Sequence, residues 1–387
     1  MIKIYIKKRV KIKKERGKKM DLMETVKDLI RFRTETGNEI EIKKAADYIV
    51  KKFADTSIKA EVFQTTASPV VFLRNTDDVD FDVLVLGHID VVPAADEMFE
   101  PVEKNGKLYG RGTLDMKSFA AVALNSMMYV YEHKLPLKFG VILSTDEEKG
   151  SKSTESFLEA YPDIKAQIVL DNDVGGDITK IVSKCKNPVF VKLLSKGQEA
   201  HGSTPWDGVD ANELLLQSWQ NIRKIYPYYA KNLPQPQDTW FDTVHMAIIN
   251  GGQVSNVLSN YAEALLDFRL TENSTVEQLE EKLKSCLVDG VSYKIVSSST
   301  PVVMAEDNPY ILEYKKLAEN VLGREIEFEH IGGATDSRAF AVKGSTVIMH
   351  SGTGEGMHAS GEYVDIESVK QIAAIQIKFL EKLAQNR

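Results

Sequence analysis

The sequence predicts an α/β protein, a doubly wound mixed-sheet domain that carries an inserted, ferredoxin-like α+β domain. Three observations predict it. Between residues 82 and 171 short apolar runs alternate with segments of helical periodicity, as in strands laid side by side and wrapped by helices. Between residues 187 and 299 the order becomes β-α-β-β-α-β, the split unit that packs two helices on one antiparallel sheet. After residue 300 the first pattern resumes and closes on a long final helix. A chain of 387 residues with 43% hydrophobic content can bury two such cores. The expected division is therefore 20–186 with 300–387 for the larger domain and 187–299 for the insertion.

Residues 1–19 hold ten Lys or Arg against one Glu, about +9 of a formal net charge of -7, so the remainder carries about -16 (-7 minus 9). The basic head is expected to be a disordered or weakly helical extension; an arm for RNA or anionic lipid is the other reading of such a run. The acidic body disfavours a nucleic-acid surface. No apolar run reaches the roughly 20 residues of a membrane span. Two cysteines, Cys185 and Cys286, are too few for a disulfide framework and point to a reducing cytoplasm.

The elements follow in order. Leu22, Val26, Leu29 and Ile30, then Ala45, Ala46, Ile49 and Val50, recur at helical spacing on either side of Thr36-Gly-Asn38, giving two helices and a loop. Strands are expected at 60–63 and 70–73. The fully apolar strand at 82–86 delivers His88 at its C-terminal end, where ligands gather in open α/β sheets. Helix 117–132, strand 138–144, helix 151–159 and strand 167–170 come next, the last ending in Asp171-Asn-Asp173. The insertion reads as strand 188–196, helix 212–225, strands 244–250 and 262–270, helix 275–287 and strand 292–298. Helix 309–321, strands 325–329 and 346–350, and a helix from Ile366 complete the larger domain.

Metal-binding chemistry is concentrated at the strand ends and in glycine-rich turns. In His88-Ile-Asp90 the two polar side chains fall on one side of an extended segment, so Asp90 can take the second ring N–H of His88 and fix its tautomer. A single histidine after a strand is more often structural; the acidic motifs nearby reverse that balance. Asp115 lies in a turn framed by Gly110, Gly112 and Lys117, where a carboxylate can bridge two cations or cap the following helix. Glu147 and Glu148 follow an apolar strand directly, and an irregular turn aims adjacent carboxylates differently, one at a metal and one at a water. Such a pair stays ionised beside cations and repels itself without them. His358 lies far along the chain, in a loop whose glycines let an imidazole approach a preformed site.

Taken together, HID, GRGTLDMK, TDEEKGS, AHGSTPWDG, NGGQVSNV, GGATDSRAF and the late His358 resemble the di-zinc aminoacylase and carboxypeptidase family, from about Met20 to the C-terminus. That family includes succinyl-diaminopimelate desuccinylase, acetylornithine deacetylase, carboxypeptidase G and peptidase T. Each motif alone is weak; seven in order are specific. The resemblance implies that His88 binds one zinc, Asp115 bridges two, Glu148 and His358 bind the second, and Glu147 is the general base with Asp90 orienting His88. The carboxylate completing the first site departs from the common Gly-Glu-Pro pattern. The sequence here offers Leu170-Asp-Asn-Asp-Val-Gly-Gly-Asp-Ile178, in which the likeness to peptidase T favours Asp171 over Asp173.

The resemblance further implies that His201 steadies the oxyanion, often across a dimer interface formed by the inserted domain. Asn256, Arg269 and Arg338 have the residue types to hold a substrate carboxylate, Arg bidentately. The expected activity is hydrolysis of the amide bond of N-acyl amino acids, with a carboxypeptidase or di- or tripeptidase as the alternative on the same site. A non-catalytic binding protein on this fold would show a missing ligand or base, and none is missing. Two Zn2+ per subunit are expected, with Co2+ or Mn2+ able to use the same donors.

Overall fold

The computed structural model describes residues 20–234 and 236–387. The basic extension expected at 1–19 lies outside the described residues. The chain begins with α1 (Leu22–Arg31) and α2 (Glu39–Lys52), started by Asp21 and Asn38, whose side chains accept from the amides of Glu24 and Glu41. Strands β1 (Lys59–Phe63), β2 (Val70–Arg74) and β3 (Asp80–His88) follow, then the short β4 (Val102–Lys104) and β5 (Lys107–Tyr109). Next come α3 (Lys117–Glu132), β6 (Phe139–Ser144), α4 (Lys152–Ala160), β7 (Lys165–Asp171) and β8 (Lys180–Cys185). The insertion contributes β9 (Asn187–Lys196), α5 (Ala211–Ile225), β10 (Thr243–Gly251), β11 (Tyr261–Leu270), α6 (Val276–Cys286), β12 (Val291–Ser298) and β13 (Val302–Val303). The return path is α7 (Pro309–Leu322), β14 (Glu327–Ile331), α8 (Arg338–Ala341), β15 (Thr346–His350), β16 (Gly354–Glu355), β17 (Tyr363–Asp365) and α9 (Ile366–Gln385).

Two compact units result. One comprises the described residues up to Ser183 with Met304–Glu329 and Thr335–Arg387; the other comprises Lys184–Val303 with His330–Ala334. In the larger unit the main sheet runs β1-β2-β6-β3-β7-β15-β8. The inner strands β6, β3, β7 and β15 are parallel, while β1, β2 and β8 run antiparallel to their neighbours. The sheet is thus mixed, as the sequence predicts. Val83, Val85, Val141, Leu143, Ile168 and Leu170 meet Phe119, Ala123 and Phe379 from the helices in one buried core.

Register sets the site. His88 pairs with Ser144 at the end of β6, and Leu86 pairs with Asp171 at the end of β7. Three parallel strands therefore release His88, the turn at Glu147 and the turn at Asp173 at one edge.

Four short strands escape the sequence patterns because segments of two or three residues carry no periodicity. They form a separate sheet in the order β16-β17-β5-β4. Its pairing of Tyr363 with Tyr109 and Val364 with Leu108 joins the segment before Asp115 to the one after His358.

The smaller unit is an antiparallel sheet in the order β10-β11-β9-β12. Val189, Val191, Leu193, Ala264, Leu266 and Phe268 face α5 and α6, which bury Leu215, Ile222, Leu279 and Leu283 against them. Alternate residues on β9 and β11 are buried, the period of a sheet covered on one face.

Candidate metal centre

His88 ends β3 with only 1% of its surface exposed. Its Nε2 lies 3.0 Å from Asp115 Oδ1 and 3.8 Å from Asp173 Oδ2. Its Nδ1 lies 3.0 Å from the main-chain carbonyl of Asp90 and 3.4 Å from that residue's carboxylate. The carbonyl is the nearer acceptor, which fixes Nε2 as the face turned to the carboxylates. The Asp90 carboxylate serves other neighbours as well. It accepts from the amides of Glu147 at 3.1 Å and Glu148 at 3.3 Å and from the Thr36 hydroxyl at 2.7 Å. One buried anion thus orients the acidic turn that follows β6.

Asp115 is divided between two histidines. Its Oδ1 faces His88, and its Oδ2 lies 3.0 Å from His358 Nε2. The same His358 nitrogen is 3.1 Å from Glu148 Oε2. The Asp115–Met116 peptide is cis, and His358 has a left-handed backbone with φ 60° in its glycine-rich loop. Two groups of donor atoms converge within 4.8 Å, His88 with Asp115 and Glu148, and His88 with Glu147 and Asp173. His358 Nε2 stands beside the first, against Asp115 and Glu148.

Asp173, rather than the expected Asp171, is gathered with His88. Asp171 ends β7 and is buried. One of its oxygens accepts from the Asp173 amide at 2.8 Å, and the other has no hydrogen-bond partner among the described residues. The intervening Asn172 points into the core, where Gln376 donates to its carbonyl at 2.8 Å. Along the segment leaving β7 Asn172 turns into the core, and of the two flanking aspartates Asp173 is the one whose carboxylate comes within 3.8 Å of His88 Nε2.

The electrostatics are those of a site assembled for cations. Burial raises Glu147 well above the usual carboxylate range and neighbouring Asp173 adds to it; burial and then Asp115 push Glu148 up to about 7. Burial likewise outweighs His88 at Asp173, which rises to about 6. For Asp115 burial acts in the same direction but is overcome by hydrogen bonds from His358 and His88, which hold it well below its ordinary value. For His88 burial opposes the charge, yet Asp115, Asp173 and Asp90 raise it well above the ordinary imidazole value. Glu148 Oε1 is buried with no hydrogen-bond partner among the described residues. A tetrahedral ion with donors at about 2.0–2.2 Å spaces them roughly 3.3–3.6 Å apart, close to the separations above. The residues fit divalent cations in charge, donor type and spacing.

The other expected residues are placed as follows. Arg338 opens α8, and its guanidinium donates to the Thr335 carbonyl at 2.8 Å. His201 and Asn256 belong to the smaller unit, in adjoining loops where the Gly202 amide donates to the Asn256 carbonyl at 2.8 Å. The ring of His201 is held by Ser203 at 2.8 Å. Arg269 lies on β11 and forms a two-bond pair with Asp267, two residues away on the same face. Arg111, inside GRGTLDMK, and Glu362, four residues after His358, carry no pattern of their own in the sequence. Each is buried, and they pair with one another.

A model of peptidase family M20/M25/M40 matches residues 84–382. The chain belongs to this family. It is 26% identical over 340 residues to an uncharacterised metallohydrolase of Methanocaldococcus jannaschii, covering 77% of this chain and 80% of that one. It is also 26% identical over 317 residues to acetylornithine deacetylase of Shigella sonnei, covering 77% and 79%. The crystal structure of aminopeptidase PepT from Bacillus cereus superposes with a TM-score of 0.76 at 18% identity, covering 94% of this chain and 98% of that one. Membership of the M20 family makes the chain a divalent-metal hydrolase of amide or peptide bonds. Among the described residues no helix is long and apolar enough to cross a membrane.

The raised carboxylates give the metal-free M20 protein a definite pH response. Glu147, Glu148 and Asp173 hold protons more tightly folded than unfolded, so their contribution to stability is present below about pH 4 and is lost as pH rises through about 7. His88, also raised, acts with the same sign. A divalent ion competes with those protons, so its stabilisation grows over the same interval. Thermal melts with chelator should fall from pH 5 to pH 8 while the increment on adding Zn2+ increases; a chelated melting temperature that climbs across this window would contradict the assignment.

Proposed function

We propose that this M20 enzyme removes the acyl group from N-acyl amino acids, in the manner of an acetylornithine deacetylase, using two Zn2+ per subunit. The observation that carries the reading is the Asp115 carboxylate shared between His88 and His358, with Glu147 beside it. The likeness to a relative named acetylornithine deacetylase supports the acyl amino acid over other amides. His88, Asp115 and Asp173 would hold one ion, and Asp115, Glu148 and His358 the other. Such a pair supplies a nucleophilic water near neutral pH and a Lewis acid for the scissile carbonyl.

The protein's own groups carry the proton. Glu147 is aimed by its amide on Asp90, and its raised affinity suits a base that takes a proton from water and returns it to the departing amine. His88 is held as the tautomer with Nε2 free for the ion by the Asp90 carbonyl. His201 is the donor proposed for the developing oxyanion, and Asn256, Arg269 and Arg338 for a substrate carboxylate. Arg269 would have to exchange its pairing with Asp267 for the substrate. Cys185 and Cys286, buried as thiols, accord with a cytoplasmic enzyme.

The test is a panel of N-acetylornithine, N-succinyl-diaminopimelate, other N-acyl amino acids, and di- and tripeptides, run with Zn2+- and Co2+-loaded protein. N-acyl amino acids should be cleaved, and Glu147→Gln should lose about 100-fold or more in kcat while binding metal normally. Turnover confined to peptides would favour the peptidase reading, and Glu147→Gln at full activity would reject Glu147 as base.

The inserted unit is also proposed to pair two copies of the chain. β10 is an edge strand, and Ile248 and Ile249 on it are 52% and 51% exposed, an apolar edge that a soluble chain ordinarily covers. Light scattering should give twice 43.3 kDa, and Ile249→Lys should shift it to the single mass; a monomeric wild-type protein at micromolar concentration would refute the pairing.

A further inference from the structure

The two loops that carry Asp115 and His358 are 243 residues apart in the chain, and one buried ion pair stitches them together. Glu362 is 1% exposed, and its carboxylate is filled by donors. Oε1 accepts from the amides of Leu114 at 2.8 Å and Asp115 at 3.1 Å. Oε2 accepts from the Gly112 amide at 2.9 Å and from the Arg111 guanidinium. Three amides of one short loop wrapped around one anion form a nest that fixes the backbone presenting the Asp115 side chain. Arg111, 3% exposed, uses Nη2 to reach the carbonyl of Ala359 at 3.2 Å, next in sequence to His358. A main-chain bond from the Gly110 amide to the Glu362 carbonyl at 3.2 Å runs alongside. No other acid enters this nest among the hydrogen bonds of the described residues.

We propose that Glu362 is a positioning residue for both cation sites, and that the Arg111–Glu362 pair makes the Asp115 and His358 loops a single rigid clamp. Neither side chain is a ligand. Glu362 acts on Asp115 through its amide, and Arg111 carries the restraint to His358. A buried pair of this kind costs desolvation that its own attraction only partly returns. What it supplies here is geometry, because a shared carboxylate serves two ions only if both imidazoles keep their places. Glu362→Gln preserves volume but turns an amide NH2 toward backbone donors, so the nest cannot close. The inference rests on the two-ion reading above.

The test titrates metal-free wild-type, Glu362→Gln and Arg111→Met proteins with Co2+ alone, following affinity by calorimetry and geometry by visible absorption. The wild type should bind two equivalents. Glu362→Gln should bind Co2+ about 10- to 100-fold more weakly with altered visible bands, and its kcat should fall more than its KM changes. Wild-type affinity and bands in a folded Glu362→Gln would overturn the proposal, since a purely structural glutamate would lower only the metal-free melting temperature. If Glu362→Gln does not fold, Arg111→Met decides. It keeps the three backbone bonds, so the first Co2+ should retain its affinity while the second weakens about tenfold or more. Two wild-type affinities in that variant would overturn the proposal. Wild-type protein that takes up no Co2+ would remove the two-ion reading and this inference with it, a result distinct from unchanged binding in the variants.

Discussion

Everything at the strand ends is constrained by like charge under burial. Asp115, Glu147, Glu148 and Asp173 are brought around two imidazoles, all of them at the same edge of the larger unit. Carboxylates in such a place either hold protons or hold cations, because the desolvated anion is costly without a counter-charge. Histidine alone does not balance them. The raised affinities of Glu147, Glu148 and Asp173 express that residual demand, and the lowered Asp115 marks where both imidazoles already meet it.

The rest of the larger unit keeps this arrangement from relaxing. Parallel strands fix the starting points of three ligand turns by register. Asp90 then sets the two glutamates through their amides. Asn172 anchors the turn between the two aspartates to α9 through Gln376, whose other side-chain atom accepts from Ser126 at 3.0 Å. These restraints are buried or half-buried, which shields their hydrogen bonds from exchange with water. The geometry of the candidate site thus starts from the sheet and the core, and the loops complete it.

Much of this was legible in the sequence, for identifiable reasons. Fully apolar runs such as that of β3, and a helix such as α3, announce themselves through periodicity, and the change to β-α-β-β-α-β exposes the insertion. His88, Asp115, Glu147, Glu148 and His358, which the structure gathers at one edge, stand immediately beyond such runs or among glycines, where the sequence singles them out. Which of Asp171 and Asp173 comes nearer His88 depends on how the chain leaves β7, and spacing alone does not carry that. Arg111 and Glu362 were passed over because a buried ion pair across 251 residues leaves no local pattern. The four two- or three-residue strands that join their loops were too short to show one.

Anomalous diffraction from metal-loaded crystals, recorded on either side of the metal's absorption edge, tests the central claim most directly. The account predicts two peaks per chain about 3.5–4 Å apart, with Asp115 between them, one contacting His88 and Asp173 and the other Glu148 and His358. A single peak, or a first ion held by Asp171 in place of Asp173, would contradict it.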